Sequence, residues 1–369
     1  MTTTNNQGRL AAIDVLRGFD MFFLVGAGDV LRQFFGAFGA NPQSGILFQL
    51  NHSEWIGFTA WDIIMPLFLF TSGLSMPFSF DKFMQGGSHS KRQLYAKIFK
   101  RFALLFLLGW IAQGNLLDLK FDQFHIYCNT LHAIAFGYLI TALIILNVTN
   151  VYRQIAAGAS LLIIYWLCMT FIPVSGFGSG IFSPDGNLAI HIDHAVFGSL
   201  DDGTQYTWLL TSLAFAATVI SGYFAGYLLK RFDNTDQKLK MLTLIGIALI
   251  AGGLLLALQM PIIKKIWSCS MVLFSSGICY LLLALSCLLT DKFKLSGWWV
   301  TGLRIFGLNS ITAYMLHTTF GLGAIAQTLL HGFEQYTGNF YPCILALGEF
   351  GIIWFILYHM YRYKIFLKV

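Results

Sequence analysis

The sequence predicts an all-α, polytopic integral membrane protein with about ten transmembrane helices in one bundle and both termini in the cytoplasm. Three observations predict it. First, 56% of the 369 residues are hydrophobic and 11% are charged, with a mean hydropathy of +0.67, whereas a soluble domain carries about one quarter charged residues. Burying that much apolar surface in water needs a larger core than this chain can enclose. Second, apolar runs recur along the chain, each long enough to cross ~30 Å of hydrocarbon at ~1.5 Å per residue. Third, lysine and arginine are divided unevenly between alternate connections. Soluble enzymes, secreted disulfide scaffolds and nucleic-acid-binding modules are excluded.

The runs lie at about 12–36, 56–80, 97–116, 127–147, 153–173, 206–230, 240–260, 268–290, 299–324 and 342–364. In a bilayer each must be a helix, because backbone groups facing lipid have to bond within their own segment. The first run carries Asp14, Arg17 and Asp20 and has no small-x-small cleavage site, so it reads as an uncleaved span. With the N-terminus inside, the inner connections receive Arg9, Arg17, Lys82, Lys91, Arg92, Lys97, Lys100, Arg101, Arg153, Lys230, Arg231, Lys238, Lys240, Lys292, Lys294, Arg362, Lys364 and Lys368. The outer ones receive Arg32, Lys120, Lys264 and Lys265, while Arg304 lies within a span. Eighteen against four sets the orientation and explains the net charge of +6 without nucleic acid. Cys128, Cys168, Cys269, Cys279, Cys287 and Cys343 show no C-x-x-C spacing and read as small buried side chains, with no metal site. No internal repeat emerges, and residues 1–369 form one membrane domain. The outer loops at about 37–55 and 174–205 are the longest; the glycine-alternating run 176–182 in the second follows no strand and reads as a packed loop.

Ionisable groups inside spans are costly and mark function. Asp14 with Arg17, and Asp29 with Arg32, stand at i, i+3. Each couple is either a self-neutralising pair or a set of ligand contacts, Arg17 for a phosphorylated ligand and Asp29 for a polar or cationic one. His52 precedes the second span, and Asp62 is expected two to three turns into it, where a carboxylate needs a donor or a cation. The two read either as a base held by an acid or as a hydrogen-bonded structural group. Pro66 and Pro77, with Thr71, Ser72, Gly73 and Ser75, suggest a kinked helix that lets another backbone approach. In the ninth span Ser310, Tyr314 and His317 share one face at i, i+4, i+7, with Asn309 at its edge. They either join helices or form a site, and Arg304 in the same span requires a carboxylate, phosphate or carbonyl partner. His132 and His359 read as packing groups, and Trp298 with Trp299 as an interfacial belt.

Three stretches carry a likeness: RLAAIDVLRGFDM, NHSEWIGFTAWDIIMPLFLFTSGLSM and FGLNSITAYMLH. Together they resemble the heparan-α-glucosaminide N-acetyltransferase family, and its bacterial NagX-type branch in particular, from about residue 9 to the C-terminus. The resemblance implies a transmembrane acyltransferase of the bacterial inner membrane, with a homodimer as its expected assembly. Acetyl-CoA would bind as co-substrate from the cytoplasm, without a metal, and its acetyl group would pass to the amine of a periplasmic glucosamine-type sugar. The family's H-x-x-W-x-G-x-T-x-x-D pattern falls on His52, Trp55, Gly57, Thr59 and Asp62, and its N-S-I-x-x-Y-x-x-H pattern on Asn309, Ser310, Ile311, Tyr314 and His317.

By that resemblance His52, Asp62, Asn309 and His317 are the catalytic candidates. Arg17, Arg101 and Arg304, with Ser72, Ser75, Ser310 and Tyr314, are the candidates for holding acetyl-CoA. Asp29, Trp55 and Asp193, the last beside His194 where relatives carry an Asp-Arg pair, are the candidates for the acceptor. The chemistry is consistent: guanidinium groups suit the phosphates, imidazole suits taking a proton from an amine, and Asn309 or Tyr314 suits the thioester oxygen as charge develops. Direct transfer and an acetyl-histidine intermediate both fit. The competing readings are a secondary transporter for amino sugars with Asp29, Asp62 and His52 in a proton-coupled site, and a non-catalytic partner of sugar uptake.

Overall fold

A computed structural model describes residues 7–84, 88–113, 116–117, 119–120 and 124–367. Of the basic residues counted above, Lys368 and the side chains of Arg9 and Lys82 lie outside what is described. In chain order the helices are α1 (Gln7–Phe22), α2 (Gly28–Ala37), α3 (Gly45–Gln49), α4 (Ile64–Leu74), α5 (Met76–Met84), α6 (Ser88–Ala112), α7 (Thr130–Asn147), α8 (Val151–Phe171) and α9 (Leu188–Phe197). They continue with α10 (Ser212–Arg231), α11 (Thr235–Leu256), α12 (Cys269–Cys287), α13 (Trp298–Leu308), α14 (Ser310–Thr319), α15 (Leu322–Leu330), α16 (Glu334–Thr337) and α17 (Tyr341–Arg362). Among the described residues there are no strands, only the isolated bridges Ile56–Ile263 and Val174–Gly178.

Among the described residues, seven stretches are long and apolar enough to cross a membrane: Ala60–Phe80, Thr130–Asn147, Val151–Phe171, Ser212–Arg231, Thr235–Leu256, Cys269–Lys292 and Leu322–Arg362. Helix also stands at the three other apolar runs, as α1 with α2, as α6, and as α13 with α14. Asparagines begin four of the helices: Asn129, Asn150, Asn187 and Asn234 each accept from backbone N–H groups of the turn they precede. That arrangement meets donors which a helix start otherwise leaves unpaired. All six cysteines are free, and all but the half-buried Cys168 are buried.

The chain folds into two compact units, the first made of residues 1–53, 59–64 and 285–369 and the second of 54–58 and 65–284. In the first, α1 and α13 pack backbone to backbone. A Cβ on Gly18 would stand 1.8 Å from the carbonyl oxygen of Leu303, and one on Gly307 2.0 Å from that of Asp14. Small residues at such a crossing permit the close dispersion contact that holds helices together in lipid. Beside it Phe306 and Phe350 stack at 5.7 Å, with Phe22 edge-on to both. A π-helical turn, Phe23–Ala27, separates α1 from α2.

Two elements of this unit differ from the expected helices. The ninth run is not continuous, because Asn309 (φ −122°, ψ 38°) divides α13 from α14. Its side chain donates to Ile365 O at 3.2 Å and accepts from Leu367 N at 3.2 Å. Ser310, Tyr314 and His317 therefore ride on a different helix from Arg304. The second run starts later than expected: its first turn is the 3₁₀ turn Ala60–Ile63, entered from an extended Thr59. Asp62 thus lies in the opening turn.

In the second unit Gly73 meets Val219 O and Gly222 meets Phe70 O in the same manner, so α4 and α10 cross in backbone contact. Trp267 is buried and donates its indole N–H to Thr218 Oγ1 at 3.0 Å. His132 stacks on Phe106 at 4.2 Å and bonds that residue's carbonyl oxygen through Nε2 at 3.0 Å, a packing role. In the run 176–182, Gly176, Gly178 and Gly180 have φ of 84°, 93° and 69°, conformations that glycine adopts without steric cost, and Val174 pairs with Gly178 across the turn. Gly307→Ala is expected to destabilise the protein by about 1–3 kcal/mol or more through overpacking. Gly302→Ala, on the same helix with open space around it, is expected to leave stability unchanged or slightly raised; thermal unfolding in detergent compares the two.

Candidate active site

The site is built on a short loop and the helix start that follows it. After α3 the chain turns through Leu50, Asn51, His52 and Ser53, and it re-enters the first unit at Thr59. Thr59-x-x-Asp62 has the capping-box pattern: the Thr59 N–H donates to Asp62 Oδ2 at 3.1 Å, so the carboxylate meets a backbone donor at the helix start. Ser53 donates to the same oxygen through its N–H at 3.2 Å and its hydroxyl at 2.9 Å, and Thr59 Oγ1 stands 3.1 Å from it. The other oxygen, Oδ1, lies 2.8 Å from His52 Nδ1. Asp62 is fully buried while the His52 side chain is 45% exposed. The donors replace the water that the carboxylate has lost.

This arrangement fixes the imidazole chemically. A carboxylate only accepts, so the hydrogen bond places the proton of neutral His52 on Nδ1 and leaves the lone pair on Nε2. The ring is oriented by a buried acid and is half-exposed, the geometry of a general base or nucleophile with its orienting partner. The loop is tied to the helix start at two further points: Gln49 Oε1 accepts from Ala60 N at 2.9 Å, and Thr59 Oγ1 donates to Asn51 O at 2.6 Å.

A second group in the same unit gathers charge. Arg17 and Arg304 both stand close enough to the Asp14 carboxylate, itself withdrawn from water, to act on its charge. Arg304 Nε is buried and makes no hydrogen bond, so a donor remains there for an anionic ligand. Asp29 is paired with Arg32 at i, i+3.

No protein-family model matches this sequence. The sequence is 25% identical over 422 aligned positions to heparan-α-glucosaminide N-acetyltransferase of Homo sapiens, taking in 98% of this chain and 60% of that protein. The corresponding protein of Mus musculus is 25% identical over 429 positions, covering 100% of this chain and 62% of the relative. The chain is similar to these N-acetyltransferases over nearly its whole length. It spans about three-fifths of the length of the relatives it matches.

The remaining candidates are placed as follows. On α14, Ser310 and Tyr314 are half-buried, and His317 Nδ1 stands 3.6 Å from Glu349 Oε1 of α17. Asn309 is engaged with the backbone of 365–367. In the second unit, Trp55 donates its indole N–H to Phe182 O at 2.9 Å, with Lys265 5.8 Å above the ring. Ser75 Oγ donates to Ser72 O at 2.9 Å, and Ser72 Oγ is buried without a hydrogen bond. Arg101 lies over the Tyr138 ring at 4.1 Å. Asp193 is buried, and its two oxygens accept from Trp208 N at 2.6 Å and Leu209 N at 3.0 Å, committing them to the chain's own backbone.

Sequence reasoning missed two participants and gave a third, Thr59, no role beyond its place in the motif. Ser53 is signalled only by adjacency to His52, and the part of Thr59 by its capping-box spacing from Asp62. Glu349 is the sole acidic residue of α17, a signal that was present in the sequence.

Burial pushes the Asp193 carboxyl up to about 6, against the pull of its two N–H donors. Between the ordinary value of 3.8 and about 6, the unfolded chain releases this proton while the folded chain keeps it. Stability from this group is therefore full below pH 3.8 and lost as pH rises through about 6. The loss should be on the order of 3 kcal/mol, and it should vanish from the unfolding profile of Asp193→Asn.

Proposed function

We propose that the chain is a transmembrane N-acetyltransferase that moves an acetyl group from cytoplasmic acetyl-CoA to the amine of a glucosamine-type sugar on the far side of a bacterial inner membrane. One observation carries the reading: His52, half-exposed, has Nδ1 held by the buried Asp62, so that Nε2 is its proton-accepting atom. The kinship with N-acetyltransferases over nearly the whole chain supports the same reaction class. The excess of Lys and Arg on one set of connections supports about ten spans with both termini inside.

The residues divide the work. Arg17 and Arg304 hold the phosphates of the donor, and the buried Arg304 Nε supplies a charge-assisted hydrogen bond to them. His52 Nε2 accepts the proton that the acceptor amine must lose as its nitrogen bonds the acetyl carbon and the carbon–sulfur bond breaks. That proton then passes to the departing thiolate. Asp62 keeps the imidazole in the required tautomer and stabilises it once charged. Direct transfer needs no more than this. A homodimer follows the family pattern.

Acetyl transfer from labelled acetyl-CoA to glucosamine by the purified protein, beside His52→Ala, tests the proposal. Product from wild type and none from the variant is the expected result. Flux of amino sugar without consumption of acetyl-CoA would replace the enzyme with a transporter. Asp62→Asn should lower turnover by about 10²-fold or more while leaving acetyl-CoA affinity intact. Arg304→Ala should weaken that affinity by about ten-fold or more, as read by equilibrium binding, without loss of the fold.

A further inference from the structure

Arg32 stands outside the His52–Asp62 pair, yet it grips the chain on both sides of it. Its Nη1 donates to the carbonyl oxygen of Leu50 at 2.8 Å, two residues before His52. Its guanidinium lies 4.3 Å above the ring of Trp61, the residue before Asp62. Nη2 is paired with Asp29 one turn back on α2, which steadies the plane of the group. The Trp61 ring in turn lies where a Cβ on residue 28 would be: one built on Gly28 falls 2.1 Å from Trp61 Cη2. Glycine is required there so that Trp61 can reach α2.

A helical i, i+3 ion pair by itself contributes little to stability, and it needs neither the Leu50 carbonyl nor an aromatic face. The stack on Trp61 uses the flat face that guanidinium has and ammonium lacks, and its donors, fixed in one plane, let a single group meet Asp29 and the Leu50 carbonyl together. The distance between His52 Nδ1 and Asp62 Oδ1 depends on the register of residues 50–53 against 59–62. The former is loop, tied to the helix start through Gln49, Asn51 and Ser53, and Arg32 adds a further tie from α2. An error of about 1 Å in such a pair can cost ~10²-fold in rate.

We infer that Arg32 is a positioning residue for the base, holding the His52 loop and the Asp62 turn in register from α2. The inference rests on the reading of His52 as the proton acceptor. It is tested on the purified full-length chain by the rate at which diethyl pyrocarbonate modifies His52, followed by peptide mass spectrometry, in wild type, Arg32→Ala and Arg32→Lys. Lysine preserves the charge facing Asp29 and one donor for Leu50, but not the stack on Trp61. Modification of His52 should slow several-fold in Arg32→Ala and less in Arg32→Lys. Turnover should fall in the same order, by about 10²-fold for alanine, with the KM for acetyl-CoA unchanged. Where Arg32→Ala does not fold, Arg32→Lys decides alone. Modification at the wild-type rate in a folded Arg32 variant overturns the inference. The labelling does not depend on an acceptor. Rapid His52 modification in a wild type that forms no product would sink the acetyltransferase reading and leave the clamp standing.

Discussion

A carboxylate with no exposed surface has to be compensated by hydrogen bonds, and Asp62 meets that demand by drawing a loop and a helix start together. Ser53 reaches it from one side, Thr59 from the other, and His52 completes the ring of partners. The cost of leaving any of these groups unpaired in a water-poor setting makes the cluster cooperative: each partner's position is set by the same two oxygens. The half-exposed imidazole inherits its orientation from this arrangement. The placement of the His52 ring is therefore a consequence of how a buried charge is accommodated, and the surrounding loop follows from it.

The broad architecture was legible because its causes are local. Long apolar runs become helices wherever backbone groups cannot reach water, and helix is found at every such run. The couple of His52 with Asp62 was legible too, because a buried acid close in sequence to a histidine has few other ways to be satisfied. The depth of Asp62 was not. Residues 54–58 are apolar enough to resemble helix, but Ile56 pairs with Ile263 and Gly57 bonds Ile262 O, partners some two hundred residues away that no window of sequence reveals. The break at Asn309 has the same origin, since its side chain is met by 365–367.

Asp193 teaches a related lesson about carboxylates in connections. In sequence it is an acid in a loop free of lysine and arginine, which suits a ligand. In the structure its oxygens close a backbone turn at Trp208 and Leu209. The donors are main-chain N–H groups, present at nearly every position and so unmarked by residue type. Side-chain identity advertises charge; it does not say whether the chain itself will use it.

The interruption at Asn309 has a mechanical meaning. Eleven residues in α13 and ten in α14 give rods of roughly 16 and 15 Å, each about half the thickness of a hydrocarbon layer. Arg304 and His317 are thus mounted on separate short levers that share a pivot, and the backbone of 365–367 is latched to that pivot through a single amide. The stretch that follows α17 is thereby fastened to the break between the two half-helices, so the chain's last described residues are part of what fills that break.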